Sequence, residues 1–266
     1  MIDPTKSIGP TVVKIGGTAL EKQSSEPELW RALLALHNAG GLVLVHGGGK
    51  AVDAHLDRLG FTTERKEGIR ITPAGQIDEI AAVLAGRVNK SLVGTINAHG
   101  GRAVGLCLGD GGAIETRKTT RFAFDPGMVG DVTGGKGRLL RLLLADGYLP
   151  VLSSIGLDEG GRFLNVNADD AAAGVAKAIG AKRLVLLTDV PGILGGDGRV
   201  IPEVNAAAIN VLIETGVVKG GMIPKVRAAL AAAESTRAPV TILNGNDPGM
   251  VVAWAGGAAA GTRIVP

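Results

Sequence analysis

The sequence predicts an α/β fold, a three-layer α/β/α sandwich with a mainly parallel, open central sheet. Short runs such as TVVKI (11–15), LVLVH (42–46) and RLVLLT (183–188) are rich in Val, Ile and Leu on both faces, as strands covered on both sides must be. Stretches with helical spacing separate these runs, which puts crossover helices on the two faces of a parallel sheet. Glycines, 42 of 266 residues, gather at the ends of the apolar runs, where tight turns or close ligand contacts need a backbone without a Cβ.

Taken in order, TVVKIGG reads as a strand ending in Gly16-Gly17, and EPELWRALLALHNAG as an amphipathic helix closed by glycine. LVLVHGGG is a second strand and KAVDAHLDRLG its following helix; FTTERKEGIRIT reads as a polar hairpin turning near Gly68. A long helix opens at Pro73 and closes at Gly100-Gly101. RAVGLCLG is a strand, 110–133 a mixed loop or hairpin region, GRLLRLLLADG a helix and LPVLSSIG the next strand. The second part runs NADDAAAGVAKAIGA (helix), RLVLLTDVPGIL (strand into loop), EVNAAAINVLIETG and IPKVRAALAAAESTR (helices) and PVTILNG (strand). A boundary between an N-terminal lobe (1–180) and a C-terminal lobe (181–266) is expected where this second strand–helix series begins.

Composition narrows the function. The net charge is +3, no basic run exceeds two residues (Arg65-Lys66 is one) and aromatics are 3 %, which argues against a nucleic-acid surface. Cys107 is the single cysteine, so no intrachain disulfide can form and a cytoplasmic location is expected. The opening MIDPTKSIGP has no apolar signal core, and no window approaches the ~18 uninterrupted apolar residues of a membrane span.

In open α/β sheets ligands sit beyond the C-terminal ends of strands, and three such places stand out. At Lys14-Ile15-Gly16-Gly17 the glycine N–H groups and the ammonium suit an anion, though a tight turn with an exposed lysine reads equally from the residues. At Gly47-Gly48-Gly49 three bare backbone units precede a helix whose first amides are unpaired. This is not the phosphate-binding P-loop motif, since Leu44 stands where the first glycine belongs and Ala51 follows Lys50. His46 reads as a packed residue and Lys50 as a helix-start residue. The third place is Thr188-Asp189 with its following loop.

In FLNVNADDAAAG, Asn165, Asn167 and Asp169 alternate and share a face. Asp170 and Ala176 stand where an EF-hand needs Gly and Glu, so no calcium loop is present. The segment either caps a helix at Asn167 or Asp169 or reads a polar substrate. In GVVKGGMIPKVRAAL, Lys225 lies in a first helical turn, where the macrodipole disfavours a cation unless a negative ligand binds. No His/Cys cluster has metal-ligand spacing.

Together KIGG, VHGGG, EGIRITP, NVNADDAA, LTDVPGIL and GGMIPKV, in this order and spacing over about residues 11–266, resemble the amino acid kinase family. Within it they are most similar to the branch acting on N-acetyl-L-glutamate. The resemblance implies ATP-dependent phosphorylation of that side-chain carboxylate, on the route to arginine, with Mg²⁺ carried mainly by phosphate oxygens. It implies catalytic roles for Lys14 and Lys225, oriented by Asp169, with Gly17 and Gly48 offering N–H groups to the phosphoryl. It implies acceptor contacts from Gly48, Gly49, Arg70, Asn165 and Asn167. Nucleotide contacts are expected from Asp189, Val190, Pro191, Gly192, Ile193 and Leu194, and from Val217, Val218 and Lys219. The N-terminal lobe would hold the acyl amino acid and the C-terminal lobe ATP. A carboxylate with an ordinary pKa near ~4.3 is already ionised, so no general base is needed.

Only thirteen residues precede Lys14, among them Pro4, Gly9 and Pro10. The C-terminal GGAAAGTRIVP lacks the acidic segment of arginine-inhibited members. A homodimer built on the helix from 77 to 99, without arginine feedback, is therefore expected. Alternatives from the same residues are a kinase for an acylated aminoadipate, one methylene longer, and a catalytically silent nucleotide-sensing module. Aspartokinase is also similar at KIGGT, but its regulatory C-terminal domain is not expected here.

Overall fold

The computed structural model describes residues 9–16, 20 and 27–266. The expectations for the N-terminal segment before Gly9 and for Gly17 lie outside the described residues.

The predicted sandwich is present. Eight strands form one sheet: β1 (Thr11–Ile15), β2 (Leu42–His46), β5 (Ala103–Cys107), β8 (Leu149–Ser153), β11 (Arg183–Thr188), β12 (Glu203–Val204), β13 (Val240–Asn244) and β14 (Thr262–Ile264). Their order is β12-β14-β13-β11-β1-β2-β8-β5, and every pairing is parallel except β13 with β14. The period of two along each strand divides the core. Val12, Val43, Val45, Leu184 and Leu186 face one layer, while Val13, Ile15, Leu42, Leu44, Val185 and Leu187 face the other. Both layers are closed by helices: α1 (Pro27–Gly40) and α9 (Pro248–Ala255) on the second, α6 (Ala168–Ile179) and α8 (Met222–Thr236) on the first.

A second sheet, β6 (Glu115–Lys118), β7 (Val129–Gly134), β10 (Phe163–Val166) and β9 (Ile155–Leu157), leads from β10 directly into α6. The expected hairpin is the pair β3 (Arg65–Lys66) and β4 (Ile69–Arg70). Its turn residues Glu67 and Gly68 both have positive φ, 51° and 79°, the conformation of a type I′ hairpin turn.

Two expectations need correction. The long helix is not uniform: α3 (Ile77–Ala81) and α4 (Asn89–Ala98) flank a π-helical segment, Ala82–Val88. This wider segment sets Leu84 and Val88 against Gly48, and such segments mark functional places in helices. Glu203-Val204 is a strand rather than the start of a helix; α7 (Ala206–Glu214) begins only after Asn205, whose side chain caps the N–H of Ala208.

Candidate active site

The sheet carries its candidate site at the point where strand order reverses. From β1 the sheet grows to one side through β2 and β8 and to the other through β11 and β13. The crevice outside the C-terminal ends of such neighbours is where open α/β sheets bind ligands. Lys14, Gly47 and Asp189 all lie at those ends. Lys14 shares the face of Val12, so its side chain rises toward the first turn of α6.

There Asn167 caps α6, its Oδ1 accepting from the N–H groups of Asp169 and Asp170 at 2.8 and 3.2 Å. The capping alternative is thus met at Asn167, which leaves Asp169 free to pair. Lys14 Nζ stands 3.0 Å from Asp169 Oδ1, the pair mostly shielded from solvent. Two acids in the first turn of α6 also suit the helix dipole.

Asp169 was expected to orient both lysines, and the ion pairs differ. Lys225 donates to Asp189 Oδ1 at 2.9 Å. That bond holds the Asp189 carboxyl below its ordinary range. The two cation–carboxylate pairs stand on the wall of one cavity of about 310 Å³, with Gly16 and Lys50 beside them. Lys50, read from sequence as a helix-start residue, therefore also reaches this space. The helix it opens is α2 (Gly49–Arg58).

Five acceptor residues expected from distant segments line a second cavity of about 190 Å³: Gly48, Gly49, Arg70, Asn165 and Asn167. Ala168 bridges the two spaces in sequence, between Asn167 on one wall and Asp169 on the other. Gly48 has φ 158°, and a Cβ there would stand 2.8 Å from Leu84. Arg70 is nearly buried. Its guanidinium donates to Asp53 Oδ1 at 2.6 Å and to the Gly49 carbonyl at 3.1 Å, so it is fixed against the glycine loop. Burial alone would raise the Asp53 carboxyl, but the bonds from Arg70 and Arg65 outweigh it and hold the group below its ordinary range. Asn165 donates to Thr72 Oγ1 at 3.1 Å.

Asp53, Arg65, Arg121 and the Lys225–Asp189 pairing were not anticipated. Only the spacing of Asp53 on α2, four residues past Gly49, put it on the same helix face as the glycine end. Arg121 contacts Asp131 at 2.7 Å and Asp170 at 2.8 Å. It lines both the cavity of Arg70 and Asn165 and a groove of about 920 Å³ along α6 and α8.

Of the expected nucleotide residues, Asp189 lines the cavity that holds Lys14 and Lys225. The side chains of Ile193 and Val218 are in the core. Ile193 N–H donates to Thr262 Oγ1 at 2.8 Å, which pins this loop to β14. Among the described residues no cluster of three or more His, Cys, Asp or Glu could hold a metal, and no helix is long and apolar enough to cross a membrane.

Residues 9–244 match the model of the amino acid kinase family. The chain is 44 % identical to the acetylglutamate kinase of Colwellia psychrerythraea, over 97 % of each chain. It is 42 % identical to that of Proteus mirabilis, over 96 % of this chain and 99 % of the other. Its fold superposes on the N-acetylglutamate synthase of Neisseria gonorrhoeae, complexed with coenzyme A and N-acetyl-glutamate, with a TM-score of 0.84, 25 % identity, and coverage of 97 % of this chain and 60 % of the other. With the paired lysines at the strand reversal and a family match that spans nearly every described element, the chain belongs to the amino acid kinase family.

Proposed function

We propose that this kinase transfers the γ-phosphoryl group of ATP to the side-chain carboxylate of N-acetyl-L-glutamate, giving the acyl phosphate and ADP. The observation that carries the reading is a pair of cavities whose walls follow one another in sequence at Gly49-Lys50 and at Ala168-Asp169, with the Lys14–Asp169 pair on the wall of one of them. One space is lined by Arg70, Asn165 and the glycine loop; the other is lined by Lys14 and Lys225, each held by its own carboxylate, with Lys50 beside them.

In this mechanism one ionised carboxylate oxygen attacks the γ-phosphorus, and the bond to the β,γ-bridging oxygen breaks with its electrons leaving on ADP. No proton moves. The barrier is the approach of an anion to a polyanion, so catalysis is positioning and positive charge. Lys14 and Lys225 are assigned to the two sides of the phosphoryl group, Asp169 and Asp189 to holding them. Gly48 and Gly49 are assigned to the incoming carboxylate, Arg70 to the α-carboxylate, and Asn165 to the acetamido group. The 189–194 and 217–219 segments of the C-terminal lobe are assigned to ATP. The donor set suits a Mg²⁺ ion carried by the nucleotide phosphates and water, since the carboxylates here are already engaged by lysines. Bound, it would neutralise phosphate charge. A cytoplasmic homodimer built on the helices over 77–98 belongs to the same reading and is tested by sedimentation equilibrium.

The test is hydroxylamine trapping with ATP and Mg²⁺. N-acetyl-L-glutamate should yield a hydroxamate, while glutamate, aspartate and acetylaminoadipate should turn over at least about tenfold less efficiently, the worth of a methylene or a lost polar contact. Trapping with acetylaminoadipate alone would overturn the acceptor assignment.

A further inference from the structure

We infer that His46 is a positioning residue: its ring fixes the peptide between Gly47 and Gly48 and thereby turns the Gly48 N–H toward the acceptor cavity. The inference rests on the kinase reading for its substrate, and on the geometry of a buried network for its cause.

His46 and Asn89 are both fully buried. The Asn89 amide is oriented by its neighbours: Nδ2 donates to the Val151 carbonyl at 2.9 Å, and Oδ1 accepts from Lys90 Nζ at 3.2 Å. Its Nδ2 also faces His46 Nε2 at 3.0 Å. That ring nitrogen must therefore accept, and the ring proton belongs on Nδ1. Nδ1 stands 2.8 Å from the Gly47 carbonyl and donates to it. Burial lowers the imidazole pKa to about 4, so the ring stays neutral and keeps this single donor.

The consequence follows from peptide geometry. No cis peptide bonds occur among the described residues, and in a planar trans peptide the C=O and the next N–H point in opposite directions. With the Gly47 carbonyl held toward the buried ring, the Gly48 N–H points away from it, on the side of the cavity that Gly48 lines. The chain reserves room for this arrangement: a Cβ at Gly105 would run into Asn89 Oδ1.

Two substitutions separate the roles of the ring nitrogens. His46→Asn places an amide N–H near the Nδ1 position and gives up Nε2. His46→Gln reaches the Nε2 position and gives up the bond to Gly47. His46→Asn should keep the KM for the acceptor within about twofold. His46→Gln should raise it about tenfold, the worth of one hydrogen bond, with the KM for ATP unchanged. Equal acceptor KM values in the two variants, with only a common loss of folding stability, would overturn the inference. Long-range proton–nitrogen NMR of the wild-type ring decides it independently of turnover. A proton on Nδ1 supports the inference, and a proton on Nε2 overturns it. Absence of turnover with every acceptor would defeat the kinase reading instead, with the ring tautomer still deciding the role of His46.

Discussion

Replacing Gly16 by alanine isolates what Lys14 does. Gly16 is buried, and its φ is not positive, so an L-residue is accommodated without backbone strain. Its added Cβ would lie 3.1 Å from Lys14 Nζ and 3.3 Å from Lys14 Cε. Those contacts are tight, and the flexible end of the lysine is what yields, by a few tenths of an ångström. Moving a unit charge from about 3.0 to about 3.5 Å from a phosphoryl oxygen, at an effective dielectric constant near 20, forfeits about 0.8 kcal/mol. In the transition state this is about fourfold in kcat. Complete removal of the ammonium in Lys14→Met should cost far more, about 10²–10³. Steady-state kinetics with both substrates, beside urea denaturation, reads the effect. Gly16→Ala should lower kcat about fourfold, leave both KM values within twofold and change stability by less than about 1 kcal/mol. A variant with wild-type kcat, or one whose loss lies wholly in KM, would refute the placing of the Lys14 ammonium at the reacting phosphoryl.

Gly48→Ala pushes a methyl against Leu84, with 2.8 Å between carbon centres, and against Val88 at 3.4 Å. It should destabilise the fold by about 1–3 kcal/mol and raise the acceptor KM, both measurable on the purified variant. Asp53→Asn should weaken the hold on Arg70 and raise the acceptor KM with little change in that for ATP. Because the Asp53 carboxyl is held below its ordinary range, the stability that its ionised form adds is complete above about pH 4 and is lost as pH falls through the lowered value. The denaturation difference between wild type and Asp53→Asn should accordingly be flat from about pH 5 to 8 and shrink in acid, staying small because the carboxylate is partly exposed.

The central strands were legible because burial on both faces leaves apolar residues on each side; TVVKI, LVLVH and RLVLLT have no polar face to confuse the reading. β12 and β14 were missed because two or three residues at one side of the sheet carry no period. The π-helical segment was missed because its apolar residues fit an α-helical pattern as well; its widened turn brings Leu84 and Val88 against Gly48. In the site, glycines and lysines announced themselves by unusual placement at strand ends and in a first helical turn. Of their partners, Asp169 was named for Lys14 through the family resemblance; the others were not. That Lys225 meets Asp189 rather than Asp169 depends on how α8 approaches β11, and that Arg70 meets Asp53 depends on how the hairpin folds over α2. His46 looked like core and is core; its further meaning lies in which peptide its ring touches.

The most direct test of carboxylate phosphorylation follows the oxygen. With both side-chain carboxylate oxygens of N-acetyl-L-glutamate labelled with ¹⁸O, the attacking oxygen becomes the bridge to phosphorus. Hydroxylamine then attacks the acyl carbon and releases phosphate with that bridge attached. Mass spectrometry of the phosphate should find one ¹⁸O for each ADP formed. ADP formed with unlabelled phosphate would mean that water, not the carboxylate, takes the phosphoryl group.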